Sequence, residues 1–156
     1  MKLLFLDIDG VLNNESTKER IPDGIFKGMH GLDQRLTKLY LDWLEGKDLT
    51  VVLSSTWRLD ARLMVLLNEG GIQFADVTQN SVNRGREIDD WLALHPVETY
   101  AILDDIRQFR PHQIPHLVQT SYIHGLREKD LRKLDTILGF NPPSSNGRTT
   151  DFESVN

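Results

Sequence analysis

Lys2-Leu3-Leu4-Phe5-Leu6-Asp7-Ile8-Asp9-Gly10-Val11-Leu12 begins as an apolar run and passes into two acids and a glycine. The run from Lys2 to Ile8 reads as a buried strand. Two acids at i and i+2 project from one side if the strand continues. If the chain turns at Gly10, the second acid can swing over whatever the first one holds.

Outward from this stretch, strand-like runs alternate with helix-like periods. A polar, glycine-containing stretch from about Asn13 to Gly31 precedes a helix that Asp33 can cap. Leu36, Leu39, Tyr40, Trp43 and Leu44 share one face of that helix, and Gly46 is its stop. Leu49 to Leu53 is a second strand, and Asp60 can cap a helix with Leu63, Leu66 and Leu67 inward. Ile72 to Val77 follows as a short strand. A helix from about Arg84 to His95 presents Ile88, Trp91 and Leu92, and Pro96 closes it. Tyr100 to Leu103 is a strand running into Asp104-Asp105, and Leu117 to Gln119 is an edge strand. Leu131, Leu134, Ile137 and Leu138 mark a last helix, stopped by Gly139.

Such alternation implies right-handed crossovers and a mostly parallel sheet with helices on both faces. Ligands of these sheets bind beyond the carboxyl ends of the strands. Asp7 and Asp9, Ser54 and Ser55, and Asp104 and Asp105 all fall where a strand runs out. Groups distant in sequence therefore converge on one cleft.

Composition narrows the chemistry. The 156 residues are about one domain's worth, 39% hydrophobic and 26% charged, as in a soluble globular chain. Cysteine is absent, which excludes disulfides, thiolate nucleophiles and thiolate-bound metals and fits a cytoplasmic protein. The longest run of large apolar residues, Leu63 to Leu67, cannot span a bilayer, so no membrane partner is expected. Net charge is −5, so bulk electrostatics do not favour nucleic acid. The segment from Arg107 to Lys133 is nevertheless basic and holds His112, His116 and His124, a hint of an anionic ligand.

Each site element is individually weak. Asp7-x-Asp9-Gly10 suits a hard cation such as Mg²⁺, which takes oxygen ligands, and suits a nucleophile beside a proton donor. Adjacent acids such as Asp104-Asp105 repel and need a cation or donors. Ser54 or Ser55 can donate to a phosphate oxygen, and Arg84 or Arg86 can neutralise phosphate charge.

Taken in order, the four elements resemble the haloacid dehalogenase (HAD) superfamily of phosphohydrolases. Its motifs here are Phe5-Leu6-Asp7-Ile8-Asp9-Gly10-Val11-Leu12, Val51-Val52-Leu53-Ser54-Ser55, Arg84, and Ile102-Leu103-Asp104-Asp105. Ser54-Ser55-Thr56-Trp57-Arg58 and the stretch from Arg84 to Leu92 are further similar to small HAD domains associated with RNA-repair proteins. The resemblance implies a three-layer Rossmannoid α/β fold and a Mg²⁺-dependent phosphomonoester hydrolase. Asp7 would form an aspartyl-phosphate, and Asp9 would protonate the leaving oxygen and then activate water. Ser54 and Arg84 would hold the phosphoryl group, with Gly10, Ser55 and Arg58 as substrate contacts. The metal would sit on Asp7, the Asp9 carbonyl and Asp105 or Asp104, with Asp105 favoured. Most of the superfamily has lysine where Arg84 stands, and Arg86 competes for that role.

The intervals between motifs leave no room for a separate cap domain. An open cleft is expected, with the mobile-looking Asn13–Gly31 loop as partial cover. With the basic segment, a nucleotide or nucleic-acid end joins the candidate phosphorylated substrates; oligomeric state is left open. Different in class are a receiver-like module, which would keep its phosphate, and a catalytically silent phosphate-binding domain. Residues 1–140 read as the catalytic domain and 141–156 as a flexible tail. From Ser144 on, the tail resembles peptides made when a reading frame enters a transfer-RNA gene.

Overall fold

Lys2–Leu6 forms β1, the middle strand of an all-parallel sheet of order β3-β2-β1-β4-β5. In the computed structural model the described residues are 1–140, so the expected tail lies outside them. The other strands are β2 (Thr50–Leu53), β3 (Asp76–Val77), β4 (Thr99–Asp104) and β5 (Leu117–Gln119). Leu6 pairs with Leu53 on one side and Leu103 on the other, so β1, β2 and β4 end level with one another. Ser54 continues the register by donating its amide to the Leu6 carbonyl at 2.9 Å. The expected convergence of strand ends is thus the observed one.

Alternation along the strands builds two cores. Leu4, Leu6, Val51, Leu53, Ala101 and Leu103 face one side, where α1 (Gln34–Leu44), α2 (Ala61–Glu69) and α4 (Glu128–Leu138) cover them. Leu3, Phe5, Val52 and Ile102 face the other, under Ile88 and Trp91 of α3 (Arg84–Leu94). Three layers result. Phe5 is fully buried and meets Trp91 and Tyr100 edge-on at 5.7 and 6.0 Å, contacts worth about 0.5–1.5 kcal/mol each beyond burial.

The caps follow from side-chain chemistry. Asp33 accepts from the amides of Arg35 and Leu36, and Asp60 from that of Leu63. Gly139 ends α4 at φ 75°, the left-handed conformation that favours glycine. A 3-10 turn over Thr56–Leu59, capped by Ser55, is interposed between β2 and α2. Such a turn has no apolar period of its own.

The Asn13–Gly31 stretch differs from the mobile loop expected of it. Its base is a small hairpin, in which Arg20 bridges His30 antiparallel, Ile21 donates to Met29 at 2.9 Å, and Gly31 donates to Glu19 at 3.0 Å. Thr17 is buried and donates its hydroxyl to Asp33 at 2.9 Å. At the tip, Asp23 pairs with Arg62 of α2. Backbone hydrogen bonds, invisible in hydropathy, make this segment ordered. Among the described residues there is no further excursion resembling a cap domain, and no helix is long and apolar enough to cross a membrane.

Candidate active site

Asp7 stands one residue past β1, yet its amide still donates to the Leu103 carbonyl at 3.0 Å. This bond keeps Asp7 locked to the sheet and only 5% exposed. The chain then turns, with the amides of Val11 and Leu12 both directed at the Ile8 carbonyl and Gly10 at φ 79°. Asp104, the last residue of β4, is fully buried; Asp105 follows it, half-buried. Carboxylate oxygens of Asp7, Asp104 and Asp105 lie within 4.8 Å of one another. An all-oxygen set at this spacing fits a hard divalent cation and not a soft one. Gly10 allows the set to close, because a β-carbon there would stand 2.6 Å from Asp105 Cγ.

The electrostatics also favour a cation. Burial pushes the Asp7 carboxyl well above its ordinary range, Asp104 adds to the shift, and Arg84 opposes it. Burial and then Asp104 push Asp105 up to about 6. Arg84, the first residue of α3, supplies the countercharge. Its Nη1 bonds Asp104 Oδ2 at 2.5 Å and lies 3.4 Å from Asp7 Oδ1. Burial disfavours the Arg84 charge, but Asp104 and Asp7 outweigh it and hold the guanidinium protonated. Asp104 also accepts from the Ile106 amide at 3.2 Å. With both Asp104 oxygens engaged, Asp105 has the freer carboxylate.

The competing pairs are separated. Ser54 is fully buried and its hydroxyl has no partner among the described residues. Ser55 accepts from the Trp57 amide at 3.1 Å and is the cap of the 3-10 turn. Arg86 points to solvent and pairs with Asp90 at 3.0 Å. Arg58, read as a substrate contact, is turned inward with its side chain 2% exposed. It donates to the carbonyls of Thr78 and Ser55, both at 2.8 Å, and its Nη2 lies 3.2 Å from Glu87 Oε2. Glu87 also faces Arg84, with Oε1 at 3.6 Å from Nε. One buried acid thereby links the two arginines. A signal for it was present: Glu87 lies on the apolar face of α3 beside Ile88 and Trp91, where an acid needs a cation.

Asp9 lies apart from the acidic cluster and is exposed. Its Oδ1 accepts from Asn13 Nδ2 at 2.9 Å and from the Trp57 indole N–H at 3.1 Å. Asn13 also accepts from the Gly10 amide at 2.9 Å, which ties the turn to its own second acid. Thr120, just past β5, donates to the Gly10 carbonyl at 2.6 Å. Asn13, Trp57, Thr120 and Glu87 are the site-building residues that motif reading did not single out. Beside Asp9 opens a cleft of about 790 Å³ between the hairpin, the 3-10 turn and α2.

Part of the basic segment is engaged in local pairs. Arg110 and His112 pair with Asp89 at 3.3 and 3.0 Å, and His116 stacks on Tyr100 at 3.8 Å.

A family model described as the HAD domain in Swiss Army Knife RNA repair proteins matches residues 3–131. No curated protein and no solved structure matches the chain.

Proposed function

The chain belongs to the family of HAD domains in Swiss Army Knife RNA repair proteins, and from that premise we propose a divalent-cation-dependent phosphomonoesterase acting on phosphorylated nucleic-acid ends. Membership supports a phosphohydrolase-type role; the metal, the intermediate and the residue roles are this reading's additions. The observation that carries it is the division of the acids. Asp7, Asp104 and Asp105 form one cluster with Arg84, while Asp9 is held outside it by Asn13 and Trp57.

In this mechanism an Asp7 carboxylate oxygen attacks phosphorus and the bond to the leaving oxygen breaks. Asp9 gives that oxygen its proton as it departs. Both donors to Asp9 converge on Oδ1, so Oδ2 is the atom that carries the proton. The ionised Asp9 then takes a proton from water, whose oxygen attacks the phosphorus of the aspartyl-phosphate. Inorganic phosphate leaves and Asp7 is restored. Arg84 and the unpartnered Ser54 hydroxyl bind the phosphoryl oxygens. Asp7, Asp105 and Asp104 would hold Mg²⁺, which when bound offsets the repulsion between carboxylate and phosphate.

Retention of a second acid beside the nucleophile supports turnover over a stable phosphorylated module. Phosphate release from 3′- and 5′-phosphorylated RNA and DNA, with Mg²⁺ and with chelator, tests the reading. Metal-dependent release that Asp7→Asn abolishes supports it. Near-wild-type turnover by Asp7→Asn, or a phospho-aspartate that accumulates without release, overturns it.

A further inference from the structure

Given the phosphohydrolase reading, on which this rests, we propose that the cleft beside Asp9 is the leaving-group pocket. Its occupant is the terminal nucleoside of the phosphorylated chain, with the base against Ile25, Met29 and Leu59.

Position is the first argument. Asp9, Asn13 and Trp57 are walls of this cleft and also make the hydrogen-bonded unit that fixes Asp9 Oδ1. An alcohol oxygen protonated by Asp9 must lie within hydrogen-bond reach of it. The rest of the alcohol therefore enters this cleft or the open solvent.

The wall itself selects between those outcomes. Ile25 is 85% exposed, Leu59 59% and Met29 57%, and Tyr122 is 46% exposed. Single exposed hydrophobics are ordinary, but these come from three separate chain segments and line one cavity. A sugar phosphate or bare phosphate would leave that wall in water. A base covers it, because every base has a flat apolar face for stacking.

Polar groups interrupt the wall. Arg20, His30 and Asp60 line the cleft, and one Asp60 oxygen already caps α2 through the Leu63 amide, leaving the other for a ligand. His30 packs edge-on against Tyr122 at 5.9 Å. An aliphatic chain gives these groups nothing to bond, whereas a base edge carries donors and acceptors. At about 790 Å³ the cavity is in the range that encloses a whole organic ligand. The exposed Asp23–Arg62 pair bridges the hairpin tip to α2 beside the cleft.

The test compares phosphorylated oligonucleotides that carry a terminal base with the same oligonucleotides ending in an abasic residue. Expected is a kcat/KM about tenfold or more higher with the base, as for loss of one stacked base. Ile25→Asp and Leu59→Asp should bring the base-bearing substrate down toward the abasic one. Both residues are exposed, so folding is not at stake. Equal rates on the two substrates overturn the pocket while the phosphohydrolase reading stands. No release from any phosphate ester in Mg²⁺ is the separate failure of that reading. Calorimetric titration of Asp7→Asn with adenosine and with ribose then still decides the pocket. Adenosine binding weakened by Leu59→Asp supports it; adenosine binding no better than ribose overturns it.

Discussion

The Trp57 indole nitrogen lies 3.1 Å from Asp9 Oδ1, joining the 3-10 turn after β2 to the second acid after β1. Trp57 is 2% exposed, so its ring cannot swing away. Trp57→Phe keeps most of the packing and deletes the donor. A hydrogen bond to a charged group is worth about 1.5–3 kcal/mol, so Asp9 should lose its set position. Expected is a fall in kcat of about tenfold or more with a smaller change in KM. Thermal unfolding should show a loss of about 2–4 kcal/mol, from the hydrogen bond and the smaller buried ring. Unchanged kcat in steady-state kinetics would dissociate Trp57 from the proton donor.

The two serines should respond in opposite ways. Ser54 Oγ is buried without a partner among the described residues, so Ser54→Ala removes no hydrogen bond and relieves an unpaired group. Its stability should stay within about 0.5 kcal/mol of wild type or rise, while kcat/KM falls. Ser55 caps the 3-10 turn, so Ser55→Ala should cost about 1 kcal/mol. Its activity loss should be smaller than that of Ser54→Ala. Denaturant melts and kinetics on both variants check the pair, and the reverse pattern would exchange their roles.

The strand expected over Ile72 to Val77 is only the two residues Asp76–Val77, since it pairs with β2 through Val52 and Leu53 alone. The other four of the five strands, the helix caps at Asp33 and Asp60, the stop at Gly139 and the strand-end acids were legible in the sequence. Each has a local cause: an apolar run, a side-chain acceptor, or a positive φ. What was not legible depends on partners far along the chain. Trp57 reaches Asp9 across 48 residues, and Arg58 turns inward because Glu87 of α3 awaits it. An arginine at the start of a turn has no periodicity that distinguishes a surface residue from a buried strut. The hairpin base was hidden for another reason, since its order comes from backbone bonds such as Ile21 to Met29.

Gly10 is needed twice, for its φ of 79° and for the space beside Asp105. Gly10→Ala should cost about 1–3 kcal/mol of stability through strain. It should also push Asp105 out of the acidic cluster. The Mg²⁺ concentration for half-maximal activity should then rise about tenfold, as for loss of one ligand's support. Activity measured across a Mg²⁺ titration checks this, and an unchanged half-saturation point would remove Asp105 from the metal set.

The acidic cluster also predicts how stability responds to pH. Burial and Asp104 raise Asp105 to about 6, and burial, then Asp104, raise Asp7 against the pull of Arg84. An unfolded carboxyl titrates near 4. Between these values the folded protein binds protons that the unfolded chain does not, so its stability falls as pH rises through about 6. In chelator, Tm should therefore be higher at about pH 5 than at about pH 7.5, as far as this cluster decides. Mg²⁺ relieves the same repulsion, and it competes with the same protons. Its stabilising effect should be larger at the higher pH. Asp105→Asn removes one charge of the cluster, so it should raise Tm in chelator at about pH 7.5 and flatten the pH dependence. The same variant should lose most of its Mg²⁺-induced shift. Calorimetric scans of both proteins at the two pH values decide the matter. A wild-type Tm difference that persists undiminished in Asp105→Asn would place the titrating group elsewhere.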